Sequence, residues 1–233
     1  MLVSAIMPTY NRRHLIPMAL ACYLAQDWEE KELIVVDDGS DPIGDLLGKV
    51  RAESSVYYLK PKVRMAIGAK RNLCCERASG QIIAHWDDDD WSASGRITDQ
   101  VTRLIDSGKQ MSGYHSILFW HLEKKKAYKY VSQNPNYSSG SALCYRKTFW
   151  QANHFPPLQY AEDNAFVDAA RNRNGLISVD AGQMMVVRAH AGCTKNVDGV
   201  SNATRVGAAD QWKEVPKESL PADFFAALGT SAG

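Results

Sequence analysis

The chain has 233 residues, of which 45% are hydrophobic and 23% charged, and a formal net charge of +1. This is the composition of an ordinary globular domain with a substantial core. It excludes an overall basic field suited to nucleic acid, and no apolar run approaches the roughly 18 residues of a membrane span.

In chain order, the run "LVSAIM" predicts a strand that ends at Pro8. Leu15, Met18, Ala19, Cys22, Tyr23 and Gln26 then recur at helical spacing. "ELIVV" predicts a second strand stopping at "DDGS", followed by a helix around 43 to 53 and a third strand at "VYYL". A helix from Ile67 to Ala78, closed at Gly80, leads into a fourth strand, "QIIAHW". This alternation predicts an α/β domain with a mostly parallel sheet and right-handed crossovers. Further on, "MSGYHSILFW" and "KAYKYV" predict a strand pair around "EKKK", and "SGSALCYR" another strand. "AEDNAFVDAARNRNG" predicts a helix stopped at Gly175, and "GQMMVVRAH" a last strand. From about Ser201 the chain is polar, with Pro216 and Pro221, and reads as a loosely packed, partly mobile tail.

The five cysteines are an odd number, and the adjacent Cys74 and Cys75 have neither zinc-ligand nor redox-motif spacing. They predict reduced, partly buried thiols in a cytosolic protein. "MLVSAIMPTYNRR" lacks the basic start and long apolar stretch of a signal peptide.

Three polar stretches, "PTYNRR", "DDGS" and "DDDD", each follow a predicted strand. They therefore share the carboxyl edge of the sheet, where open α/β sheets bind ligands. Four adjacent carboxylates repel one another, and Mg²⁺ or Mn²⁺ would relieve that repulsion through oxygen ligation. The plainer alternative is a solvated acidic loop with one Asp capping a helix near Ser94. Asp37 and Asp38 could accept hydrogen bonds from a nucleobase imide and a ribose, or serve only the local turn. Lys70 and Arg71 suit phosphate recognition or a solvated helix face. Glu162 and Asp163 suit a general base or a favourable charge at a helix start. His190 is a candidate metal ligand or a structural imidazole.

Together "VSAIMPTYNR", "ELIVVDDGS", "AIGAKRN", "SGQIIAHWDDDDW", "GSALCYRKTFW", "AEDNAF" and "VVRAHAGCTKN" resemble the family 2 glycosyltransferases, in that family's order. The resemblance implies an α/β GT-A fold: a Rossmann-like, mostly parallel central sheet flanked by helices, with a small antiparallel portion on the acceptor side. It implies one catalytic domain over 1–200, with nucleotide-binding half about 1–92 and acceptor-side half about 93–200, and a tail over 201–233. The activity implied is that of an inverting hexosyl- or N-acetylhexosaminyl-transferase. Its donor is a nucleotide-diphospho-sugar, with a UDP-sugar favoured at Asp38, and its cofactor is Mn²⁺ or Mg²⁺.

By the same resemblance, Pro8, Thr9 and Tyr10 wrap the nucleoside, Asp38 reads the uracil and Arg71 approaches the nucleotide. Asp87, Asp88 and Asp89 overlay the metal-binding DxD motif. Asp89 is the favoured ligand, with Asp88 at the ribose or the metal and Asp90 orienting the loop. A fourth aspartate at the motif's variable position leaves the ligand register uncertain by one residue. His190 corresponds to a histidine that completes the metal shell in some relatives. Asp163 is the implied base, with Glu162 the less favoured alternative, and Gly140 borders the donor sugar. The acceptor is a hydroxyl on a glycan, a lipid-linked sugar or another molecule. The implied setting is the cytoplasm, with peripheral contact at the inner face of a membrane and no nucleic-acid partner.

Two rivals stand beside this reading. A nucleotidyltransferase would carry a Gly-rich loop after the first strand, where this chain has "PTYNRR". A catalytically silent sugar-nucleotide or glycan-binding module is disfavoured by the aspartate cluster together with Asp163.

Overall fold

The computed structural model describes residues 1–190 and 211–230; Cys193 and the rest of 191–210 lie outside the described residues. Strands β1 (Val3–Thr9), β2 (Lys31–Asp37), β3 (Ser55–Leu59) and β4 (Ile82–His85) form a parallel sheet in the order β3-β2-β1-β4. Ile6 lies opposite both Ile34 and His85, so the carboxyl ends of these strands share one edge. Between them run helices α1 (Ile16–Leu24), α2 (Gly48–Glu53) and α3 (Ile67–Arg77).

The strand-period alternation divides the core into two faces. Val3, Ala5 and Met7 of β1, with Leu33 and Val35 of β2, pack beneath α1, α2 and α4 (Arg96–Asp106). Ile6, Ile34, Val36 and Ile83 face α3, α5 (Lys147–Ala152) and α6 (Glu162–Arg171).

Beyond β4 the sheet becomes mixed. Strand β8 (Cys144–Arg146) runs antiparallel to both β4 and the eleven-residue β6 (Met111–His121). The first part of β6 also pairs with β9 (Leu176–Asp180), and its end pairs with β7 (Lys126–Val131) and β10 (Met185–Ala189). The short β5 (Trp91–Ser92), immediately after the aspartates, pairs with β10 and ties the acidic loop to this second half.

Several boundaries differ from the sequence expectation. Strand β1 runs through Pro8 to Thr9. Ile6 O accepts from Trp86 N, so Pro8 turns its missing N–H to the same side, where the pairing with β4 has ended. Only Cys144–Arg146 of "SGSALCYR" is strand; Gly140–Ala142 forms a 3₁₀ turn. The helix after the acidic loop begins after Gly95 with no side-chain cap, so no aspartate serves there as an N-cap.

The largest correction concerns the tail. Gln211–Val215 adds to β7 as strand β11, and Ala222–Thr230 forms helix α7. Phe224 is fully buried among the rings of Trp91, Trp120 and Phe225. A short amphipathic helix is stabilised by docking its apolar face, and here Phe224 supplies that anchor. Replacing it by Ala should cost about 3–5 kcal/mol of stability. Chemical denaturation checks this: an unchanged midpoint would show that α7 contributes nothing to the core.

Candidate active site

The loops after β1, β2 and β4 meet α6 and the end of β10 around a cavity of about 940 Å³. Its wall includes Pro8, Thr9, Tyr10, Arg71, Asp87 through Asp90, Asp163 and His190. Glu162 also lines it, whereas Asp38 and Gly140 lie behind the wall.

The four aspartates point in different directions. Asp88 accepts from Thr9 Oγ1 at 2.6 Å and Arg12 Nη1 at 3.0 Å, which turns it back toward the β1 loop. Burial, reinforced by Asp89, pushes its carboxyl up to about 6 against the pull of Arg12 and Thr9. Asp89 accepts from the same Arg12 nitrogen at 2.8 Å, and His190 Nε2 lies 3.1 Å from it. Burial would raise Asp89, but His190, Arg12 and Arg188 outweigh it and hold the carboxyl below its usual range. Asp90 is driven well above that range by burial, then by Asp89 and Asp87.

The chemistry of this set fits a divalent cation. Oxygens of Asp87, Asp89 and Asp90 all lie within 4.8 Å of one another. Two oxygens bound at about 2.1 Å to one hard cation lie at most about 4.2 Å apart, so small adjustments close the set. The repulsion that raises Asp90 is the one a cation removes. Relative to the sequence expectation, Asp90 joins the group in place of loop orientation alone, and Asp88 turns away. His190 lies outside the mutual cluster and meets it at Asp89. Asp88 and Asp89 form a turn after β4, which breaks the strand alternation under which Asp88 and Asp90 would share a side.

The second acidic pair is engaged internally. Asp37 accepts from Gly39 N, Ile43 N and Tyr58 Oη, which fixes the turn after β2. Asp38 accepts from Lys70 Nζ at 2.8 Å and Met65 N at 2.6 Å, and its side chain is wholly buried. Asn11, at φ 51°, accepts from Ser40 N and Asp41 N and joins the β1 loop to this turn. Beside it, the Arg64 guanidinium stacks 4.2 Å from the Tyr10 ring centroid.

Arg71 is buried and reaches three partners. Its Nε donates to Glu162 at 3.0 Å, Nη1 lies 2.5 Å from His85 Nδ1, and Nη2 lies 3.7 Å from Asp87. Burial opposes its charge, but Asp87, Glu162 and Asp163 outweigh that and raise its pKa. Burial raises the carboxyl of Glu162, with Arg71 opposing and Asp163 adding to the shift. Glu162 is thus committed to Arg71, while the neighbouring Asp163 faces the cavity.

Gly140 acts as a shelf for Asp163. A Cβ at position 140 would lie 1.8 Å from Asp163 Oδ2, so any side chain there displaces the carboxylate. The residue before the pair, Ala161, has φ 59° and ψ 22°, a left-handed conformation that costs a non-glycine residue of order 1–3 kcal/mol.

The sequence reading passed over Arg12, His85 and Arg188. Arg188 donates from Nε to Asp89 O and from Nη2 to Leu15 O, holding the acidic loop from beneath. Arg12 and Arg188 lay inside quoted motifs, yet nothing in spacing says that a cation will pair with an aspartate 76 or more residues away. His85 carried a signal: it is a polar residue at a fully buried strand position.

The sequence profile of the glycosyl transferase family 2 matches residues 4–155. The chain belongs to this family. Among curated relatives, an Escherichia coli UDP-Glc:α-D-GlcNAc-diphosphoundecaprenol β-1,3-glucosyltransferase is 30% identical over 104 residues, covering 45% of this chain and 41% of its own. The chain spans about half or less of the first two curated relatives it matches, 47% and 41% of their lengths. Among solved structures, S. aureus TarS in complex with UDP-GlcNAc superposes with a TM-score of 0.65 at 22% identity, covering 83% of this chain and 60% of TarS. A Pyrobaculum calidifontis mannosyltransferase in complex with GDP-Man and Mn²⁺ gives 0.64 at 16% identity, covering 84% and 59%. At such identities the likeness establishes the shared family fold, the GT-A architecture.

The divergence within the aspartate run gives a direct test. Asp90→Asn should weaken Mn²⁺ binding about 10-fold or more, while Asp88→Asn should change it by less than about 3-fold. Calorimetric titration of Mn²⁺ checks this, and the opposite ranking would put Asp88 in the ligand set in place of Asp90.

Proposed function

We propose that this chain transfers a sugar from a nucleotide-diphospho-sugar, with UDP favoured, to an acceptor hydroxyl, inverting the anomeric centre in one displacement. The observation that carries the reading is Asp163: a carboxylate seated on Gly140 that faces the same cavity as the acidic loop. Residues 1–92 supply the nucleotide side and 93–200 the acceptor side.

In this mechanism Asp163 takes the proton from the acceptor hydroxyl as that oxygen attacks the anomeric carbon. The nucleoside diphosphate leaves from the opposite face. A divalent cation, Mn²⁺ or Mg²⁺, held by Asp87, Asp89 and Asp90 would stabilise the charge that grows on the leaving diphosphate. Arg71 orients Glu162 and Asp87 around the same space. His190 steadies Asp89, and Asp88 holds the β1 loop through Thr9. Pro8, Thr9 and Tyr10 form the nucleoside side of the cavity. Because the Asp38 side chain is wholly buried beside Lys70 and Met65 N, its contact with a uracil requires the wall over it to open.

The acceptor named for the Escherichia coli relative is a sugar diphosphate on undecaprenol, which supports a lipid-linked acceptor. No helix among the described residues is long and apolar enough to cross a membrane. We propose that these residues meet such an acceptor peripherally, at the cytoplasmic face of a membrane.

Asp163→Asn keeps the shape and removes the base, so sugar transfer should fall about 100-fold or more while Mn²⁺-dependent UDP binding is retained. Transfer assays over a panel of UDP-sugars, with calorimetry of UDP, check both halves. Wild-type turnover by Asp163→Asn would remove Asp163 as the base. Release of pyrophosphate from UTP and a sugar phosphate would instead identify a nucleotidyltransferase.

A further inference from the structure

We propose that His85 is a positioning residue that fixes Asp163 relative to the phosphate-side cation Arg71; the claim rests on the transfer reaction proposed above. His85 ends β4, is fully buried, and lies two residues before the acidic loop. Its ring meets Tyr145 edge-on at 5.5 Å and Phe155 at 5.6 Å. Nothing in these apolar surroundings calls for an imidazole, since a phenyl ring would fill the same space.

The nitrogens explain its presence. Nδ1 lies 2.5 Å from Arg71 Nη1 and 2.6 Å from Gly140 O, and Nε2 lies 3.3 Å from Tyr145 Oη. Arg71 continues to Glu162, the first residue of α6. Gly140 is the shelf against which Asp163, the second residue of α6, rests. One ring atom thus links the start of α6 by two routes, through Arg71 and Glu162 and through Gly140.

The two contacts at Nδ1 differ in kind. A guanidinium can only donate and a carbonyl can only accept, so a single neutral nitrogen satisfies one of them at a time. Arg71 is permanently charged, which favours Nδ1 as acceptor and a proton on Nε2 directed at Tyr145 Oη. Tyr145 then donates onward to Cys75 Sγ at 3.3 Å. The chain Arg71, His85, Tyr145, Cys75 runs with every donor pointing the same way. In the other tautomer Nδ1–H donates instead to Gly140 O, so the ring engages Arg71 or Gly140 by a proton, one at a time.

Two substitutions separate positioning from simple packing. His85→Phe keeps ring volume and removes both nitrogens. His85→Asn places one amide atom near the position of Nδ1, so its oxygen there can accept from Arg71. With UDP-glucose, UDP-galactose and UDP-GlcNAc as donors, His85→Phe should fold, bind UDP with Mn²⁺ within about 3-fold of wild type, and lose about 100-fold in kcat. His85→Asn should recover at least about 10-fold of that loss. Wild-type kcat in His85→Phe, or no recovery in His85→Asn, would overturn the proposal.

A crystal structure of His85→Phe decides the claim without turnover. Asp163 should leave Gly140 by about 1 Å or more, a displacement of the size that costs rate; an unmoved Asp163 overturns the proposal. If wild type turns over no sugar nucleotide, the transfer reaction fails while this structural arm still reads the positioning.

Discussion

The structure depends on keeping four consecutive carboxylates in place at the end of β4, three of them buried. Burial penalises each charge and their proximity compounds it, as the raised Asp88 and Asp90 show. The surrounding sequence supplies compensation from every side. Arg12 bridges Asp88 and Asp89 from the β1 loop, Arg188 grips Asp89 O from β10, and Arg71 approaches Asp87 from α3. Arg96, wholly buried, donates to His85 O and Ser141 O and so joins the end of β4 to the turn beneath Asp163. Half-satisfied buried networks are costly, and this one is closed by partners from α3, α4, β1 and β10. The fold can therefore be read as a frame that holds an anionic loop open to a cavity.

That frame also brings the two chemical roles together. The loop side and Asp163 come from opposite halves of the chain, and several links join those halves. Arg71 reaches Glu162, β5 pairs with β10, β4 pairs with β8, and His85 meets Gly140, which supports Asp163. The left-handed residues Asn11 and Ala161 both lie on the cavity wall, one on each side of it. Strain at such points is sustained only where neighbours fix the backbone. Asn11 is fixed by its bonds to Ser40 and Asp41, and Ala161 by the helix that follows it.

The sequence made the first half legible because its signals are local. Alternating apolar runs, Gly-containing turns and the position of polar loops after strands all survive without tertiary context. β1 through β4 and α3 accordingly lie where their patterns place them. The second half was harder for a physical reason: β9, β11 and α7 are short and gain stability only by docking on β6, β7 and the Trp91–Trp120 cluster. In the site, residue types and loop positions were readable, but side-chain direction was not. That Asp88 turns to Thr9 while Asp90 joins Asp87 and Asp89 reflects a turn at Asp88 and Asp89, which four identical letters conceal. His85 shows the converse, since its role depends on Gly140 and Arg71, which only the folded chain brings within 2.6 Å.

In the proposed reaction the acidic loop faces the leaving diphosphate through a cation and Asp163 is the base, so attack comes from the side opposite the leaving group. Proton NMR of the sugar first transferred or released from α-linked UDP-sugars in the presence of Mn²⁺ reads this directly. A β-configured product is expected. Retention of the α configuration, or no turnover of any UDP-sugar, would contradict Asp163 as the base of an inverting displacement.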